Sequence, residues 1–239
     1  LKAGMEIAEA MRKASKRTNG RIASIEGMAK SVNAKPVSAF DICDSINLSN
    51  GTLNLHSLEM QPHNREDLFT YQLGYEYDPE ATCPLFEKFI GEVLVKEGTT
   101  ETDQELVDLF QELLGYSLTT QTKRQVMIWM YGDGGNGKSV AVDIVQAMLG
   151  PMATTVDFQS IGLPGNYDLA DIPGKRVIFS TEAEKGGSVS EKHIKCIVSG
   201  DPLTARPIYG SPVKFHSTAK IWWAMNDKPV IKDTTNAIW

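Results

Sequence analysis

Gly132-Asp133-Gly134-Gly135-Asn136-Gly137-Lys138-Ser139 is the stretch that decides how this 239-residue chain is read. It satisfies a phosphate-loop pattern of Gly, four residues, then Gly-Lys-Ser. Residues 125–131 before it read as a buried strand. After it, Val140, Ile144, Val145 and Met148 predict the apolar face of a helix ending at Gly150. Strand, glycine loop and helix therefore come in the order a phosphate cradle needs. The glycines let backbone N–H groups turn onto phosphate oxygens, at a helix N-terminus whose dipole favours negative charge. The expected binding set is Gly132, Asp133, Gly134, Gly135, Asn136, Gly137, Lys138, Ser139 and Val140. Within it Lys138 reaches the β and γ phosphates and Ser139 gives a hydroxyl oxygen to Mg²⁺. The plain alternative is a glycine-rich turn with a solvated lysine.

Nucleotide hydrolysis also needs a carboxylate at the end of a neighbouring strand. The run 176–181 is such a strand, and it leads into Glu182, with Glu184 two residues on. Glu182 is the expected metal and water-activating residue. Glu184 is the second candidate, against the reading of an exposed loop carboxylate. A third strand, 220–225, runs into Asn226. An amide at that tip can sense the γ phosphate or orient water while staying uncharged. Alone, Asn226-Asp227 reads as a turn.

Composition narrows the classes. With 41% hydrophobic and 23% charged residues the chain reads as one large or two modest globular domains. The apolar runs 126–131 and 221–225 are far shorter than the roughly 18 residues of a membrane span, and the chain does not open on a basic-then-apolar leader. Membrane and secreted readings are poor. Cys43, Cys83 and Cys196 are far apart, and the four histidines lack zinc-site spacing. The net charge of −6 is unevenly spread: residues 41–120 hold sixteen acids against three bases, whereas 185–232 hold eight bases against three acids. Only the second stretch would attract a polyanion, unless both are ordinary solvated faces.

Along the chain, Met5, Ile7, Ala8 and Met11 predict a helix ending near Asn19-Gly20. Residues 46–48 and 52–55 alternate around Asn50-Gly51 as a hairpin. Two helices come next, over 83–95 and 102–114, the second with a Thr102/Glu105 capping box and a stop at Gly115. From residue 125 short strands alternate with glycine loops and helices, as in a parallel α/β sheet, so a boundary falls near residue 120. A helix over 190–199 precedes a hairpin of 203–208 and 213–215, which carries Arg206, Tyr209 and Lys214. Cations and an aromatic on a protruding loop suit single-stranded nucleic acid; the alternative is a hairpin with its tyrosine packed down.

Together, the loop 132–139, Gly174-Lys175-Arg176 leading to Glu182, Ser199-Gly200-Asp201-Pro202 with Ala205-Arg206, and Asn226 with Pro229 resemble superfamily 3 helicases. Within these, the phage and plasmid primase-helicases related to the poxvirus enzyme are most similar. Asn50-Gly51-Thr52-Leu53-Asn54-Leu55, Pro62-His63, Tyr77-Asp78-Pro79, Cys83-Pro84-Leu85-Phe86 and Gly115-Tyr116 look like the domain that precedes the ATPase in that group.

The resemblance implies an α/β fold: a P-loop NTPase (AAA+-like) three-layer αβα core with a parallel sheet, over 121–239. A smaller, mostly α+β accessory domain over 1–120 precedes it. It implies an ATP- and Mg²⁺-dependent helicase working in the host cell cytoplasm on single-stranded or forked DNA. It also implies a homo-hexamer, with other replication proteins as partners and no membrane. Lys138 and Ser139 become phosphate and metal ligands, Glu182 the acidic strand-end residue, Asn226 the polar sensor, and 203–218 the DNA-contacting hairpin. Both ends look cut: the group's arginine finger is expected beyond Trp239, and because members of the group often have a primase domain upstream, priming is not assigned to these residues. Two other classes stay open. A small-molecule kinase would want clustered lid arginines, but only Arg124, Arg176 and Arg206 occur after residue 120. A regulatory or packaging ATPase would switch partners without unwinding.

Overall fold

The structure is a computed structural model that describes residues 19–181, 188–229 and 231. Residues 1–37 and 38–239 form separate compact units. In the first, helix α1 spans Asn19–Asn33, with Ile22 and Met28 exposed. Asn19 and Gly20, expected to stop a helix, are themselves helical; the expected helix over 2–17 lies outside the described residues.

The second unit opens with an antiparallel sheet, β1 (Ser45–Leu48), β2 (Gly51–Asn54) and β3 (Met60–Gln61). Leu48 pairs with Gly51, so the turn residues are Ser49 and Asn50, one position earlier than expected. Gly51 starts β2 at φ +149°, where a Cβ would come 2.6 Å from the Gln61 carbonyl oxygen. The Asn50 amide clamps Tyr77 instead, donating to its carbonyl and accepting from its N–H, both at 3.0 Å.

Helices α2 (Pro84–Val93) and α3 (Gln104–Leu118) come after the sheet. The cap of α3 is Asp103, whose carboxylate accepts from the Glu105 and Leu106 N–H groups; the expected cap, Thr102, donates its hydroxyl to the Gly91 carbonyl. Nor does Gly115 end α3, which continues to Leu118. A helical glycine costs only about 1 kcal/mol relative to alanine, and the packing of Phe110 and Ser117, both buried, carries the helix past it.

A four-stranded parallel sheet comes next, in the order β4 (Met127–Tyr131), β9 (Lys220–Met225), β6 (Val177–Thr181), β5 (Ala153–Thr155). Between β4 and β5 lies α4 (Lys138–Leu149), and between β6 and β9 lie α5 (Glu191–Ser199) and an antiparallel ribbon, β7 (Pro202–Ala205) with β8 (Val213–His216). Alternate residues of the central strands feed two cores. Val177, Phe179, Trp222 and Ala224 pack with α4 and residues of β1, β2, α2 and α3, while Ile178, Ile221, Trp223 and Met225 pack with α5 and the ribbon. The first core thus runs continuously across residue 120. The fold is mixed α/β with a parallel sheet.

Two readings of this region are corrected. Strand β4 is a sheet edge, so it is only partly buried: Ile128 is covered, but Tyr131 is 56% exposed. It begins at Met127 because Gln125 sits in a turn, with φ +48° and its N–H on the Thr122 carbonyl. The covered face of α4 is Ala141, Val142, Val145 and Leu149; Val140, Ile144 and Met148 are exposed.

Lys220 and Arg176, at the starts of β9 and β6, are both buried. Arg176 Nη2 donates to the carbonyls of Cys43 at 2.5 Å and Ser45 at 3.4 Å, and its Nη1 lies 3.7 Å from Asp44 Oδ1. Lys220 Nζ donates to the carbonyls of Thr119 and Thr218 and stands 4.8 Å from the Tyr116 ring centroid. Lys220 is therefore no part of a surface that attracts a polyanion. Burial, then repulsion from Arg176, lowers its ammonium from 10.5 to about 7, against the pull of Asp44.

Candidate functional site

The loop between β4 and α4 takes its shape from its glycines. Gly135 and Gly137 have φ of +80° and +83°, in the left-handed region that glycine enters without strain. Gly137 is also the N-cap of α4, so the first-turn N–H groups of a twelve-residue helix open onto the loop.

Lys138 folds back over the loop. Its ammonium donates to the Gly132 carbonyl at 2.7 Å, the Asp133 carbonyl at 2.9 Å and Asn136 Oδ1 at 2.7 Å. These three acceptors hold the cation over the loop, and Ser139 beside it is exposed. A bound polyanion would exchange these neutral acceptors for charged ones, which make roughly twice as strong a hydrogen bond.

Residues 134–140 line a cavity of about 520 Å³ together with Ala224, Met225 and Asn226. Sheet register explains the meeting. Strand β9 lies between β4 and β6 and is parallel to both, pairing Met225 with Tyr131 and Ala224 with Thr181. The chain therefore leaves β4 and β9 at the same end of the sheet, so Asn226 faces the loop that begins after Tyr131. Gly132 and Asp133 do not line the cavity; their carbonyls hold Lys138. Glu182 and Glu184 lie outside the described residues. Ala224 and Met225 are lining residues that motif reading passed over, and their adjacency to Asn226 was the available signal.

Arg206, Tyr209 and Lys214 sit elsewhere, on the β7–β8 ribbon, and all three are exposed. Tyr209 is 104% exposed at φ +59°, so the packed-down alternative does not hold. Ile208 beside it is exposed as well.

Comparison with known proteins adds three observations. Residues 3–95 match the family described as D5 N terminal like, and 130–237 match a family of unknown function, DUF5906. A putative helicase, L207/L206, of Acanthamoeba polyphaga mimivirus is 22% identical over 204 residues, covering 81% of this chain. The apo structure of the NrS-1 C-terminal region (305–718) matches at TM-score 0.52 and 15% identity over 66% of this chain. Its A-form apo structure matches at 0.57 and 14% over 89%. The resemblance to the primase-helicase group read from the motifs is met by these relatives. The chain spans 20% of the mimivirus protein's length and 38% and 50% of the two NrS-1 chains. At such identity the structural likeness speaks for the fold alone. Among the described residues, no helix is long and apolar enough to cross a membrane.

Proposed function

We propose that this chain is the ATP-dependent motor portion of a phage or plasmid replication primase-helicase, coupling ATP hydrolysis to movement on single-stranded DNA. The observation that carries the reading is the shared cavity. Loop 134–140, at a helix N-terminus, and Asn226, from the tip of the neighbouring parallel strand, open onto one space. A P-loop NTPase of AAA+-like, three-layer αβα type has this layout.

The residues fit Mg·ATP. Positive-φ glycines leave the loop amides free to meet phosphate, Lys138 is held by neutral acceptors among the described residues, and the Ser139 hydroxyl is exposed in the first helical turn. Bound Mg²⁺ would supply charge neutralisation between the phosphates. In this reading the amides and Lys138 hold the phosphates and Ser139 the metal. Glu182, with Glu184 as the second candidate, activates water, and Asn226 orients that water or senses the terminal phosphate. Arg206, Tyr209 and Lys214 track the DNA strand, and homo-hexamer assembly in the host cytoplasm completes the machine.

The test is steady-state ATP hydrolysis with and without single-stranded DNA. The reading expects stimulation by DNA, and loss of that stimulation in Arg206→Ala. Hydrolysis at a rate indifferent to DNA would instead favour a regulatory or packaging ATPase.

A further inference from the structure

Among the described residues, Gly137 is the one of the four glycines in the loop 132–139 that faces a residue from outside the loop. A Cβ at Gly132 would meet Asn136 and Lys138, and those at Gly134 and Gly135 would meet open space. At Gly137 it would come 2.7 Å from Val93 Cγ2 and 3.4 Å from Phe89 Cζ. Both belong to α2, four positions apart and hence on one helical face. Helix α2 lies within residues 3–95, the D5 N-terminal-like segment.

The contact is backed by a fixed helix end. The Thr102 hydroxyl donates to the Gly91 carbonyl at 2.8 Å, the Asp103 N–H to the Leu94 carbonyl at 2.8 Å, and Lys96 pairs with Glu101 at 2.8 Å. One turn back, Ile90 is buried, and the Phe86 and Phe110 rings lie 6.5 Å apart. Phe110 belongs to α3 and makes an edge contact, centroids 5.6 Å apart, with Trp222 of β9, the strand that ends at Asn226. Both walls of the cavity thus rest on the same pair of helices.

We propose that Phe89 and Val93 are positioning residues for the glycine loop. They seat Gly137 so that the loop's amides face the cavity, and so make nucleotide affinity depend on the D5 N-terminal-like segment. The inference rests on the nucleotide-binding reading of the loop. Coupling is reciprocal, so occupancy of the loop also steadies α2.

The experiment is calorimetric titration of the whole protein with Mg·ATP, alongside thermal unfolding. Val93→Ala opens a gap behind Gly137 and should weaken affinity about 3- to 30-fold, the span of ordinary coupling effects. Val93→Thr keeps the shape and should stay within about twofold of wild type. Leu53→Ala, a core truncation in β2, should lower the unfolding temperature yet leave affinity unchanged. Affinity unchanged in Val93→Ala, or weakened equally in Leu53→Ala, would overturn the proposal. Wild-type protein that bound no Mg·ATP would overturn the nucleotide reading itself, and this inference with it. Should Val93→Ala not fold, amide exchange in wild type decides: Mg·ATP should slow exchange over 84–95, and unchanged rates there would refute the coupling.

Discussion

Trp222 of β9 donates its indole N–H to the Ser117 hydroxyl of α3 at 2.9 Å, and Ser117 donates onward to the Leu113 carbonyl at 2.7 Å. Both residues are 1% exposed, so this bond between partners 105 positions apart is made away from water. Ser117→Ala leaves a buried N–H without its acceptor, which costs about 1–3 kcal/mol. Chemical denaturation should show a lower midpoint at unchanged slope. An unshifted midpoint would mean that the indole finds another acceptor.

Lys220 predicts a pH dependence of stability. Its folded-state ammonium is lowered to about 7 from 10.5, because burial and Arg176 disfavour the charge. Between those values the unfolded chain binds the proton and the folded one does not, so stability rises with pH. The slope from this group is at most about 1.4 kcal/mol per pH unit. Below pH 7 both states are protonated, the slope vanishes, and the folded state carries the full penalty of a buried cation. Lys220→Met should abolish the slope between pH 7 and 9 in denaturation experiments; an identical slope in both proteins would assign it to other groups.

The ribbon makes separable predictions for DNA. Arg206→Ala and Lys214→Ala should each weaken single-strand binding and flatten its log–log salt dependence by about 0.7, the counterion release per phosphate contact on a single strand. Tyr209→Ala should lose about 1–3 kcal/mol of base stacking at unchanged salt slope. Fluorescence anisotropy over a salt series tells these apart. Identical behaviour of the three variants would move the DNA contact away from the ribbon.

Where the sequence was legible, a local rule was enough. Glycines at 132–137 between a strand and a helix foretold the loop, and the apolar run 221–225 after Lys220 foretold β9 to the residue. Where two local rules compete, local sequence does not rank them. Thr102 and Asp103 are both good caps, and only the fold shows Thr102 bonded to Gly91. Residues 140–149 are apolar nearly all round, so periodicity alone does not say that Ala141 and Val142 face the sheet while Val140 and Ile144 do not. Lys220 counted as surface charge because a strand-leading lysine carries no sign that Tyr116 and Thr119, a hundred positions away, enclose it. Contacts between positions far apart in the chain, like Val93 against Gly137, have no local signature.

The central claim is that loop 132–139 holds the phosphates of ATP, and direct titration with Mg·ATP tests it. Wild type should give saturable binding at one site per chain, lost in Lys138→Ala while the folded state persists by circular dichroism. Equal affinity in the two proteins, or no binding to wild type, would contradict it.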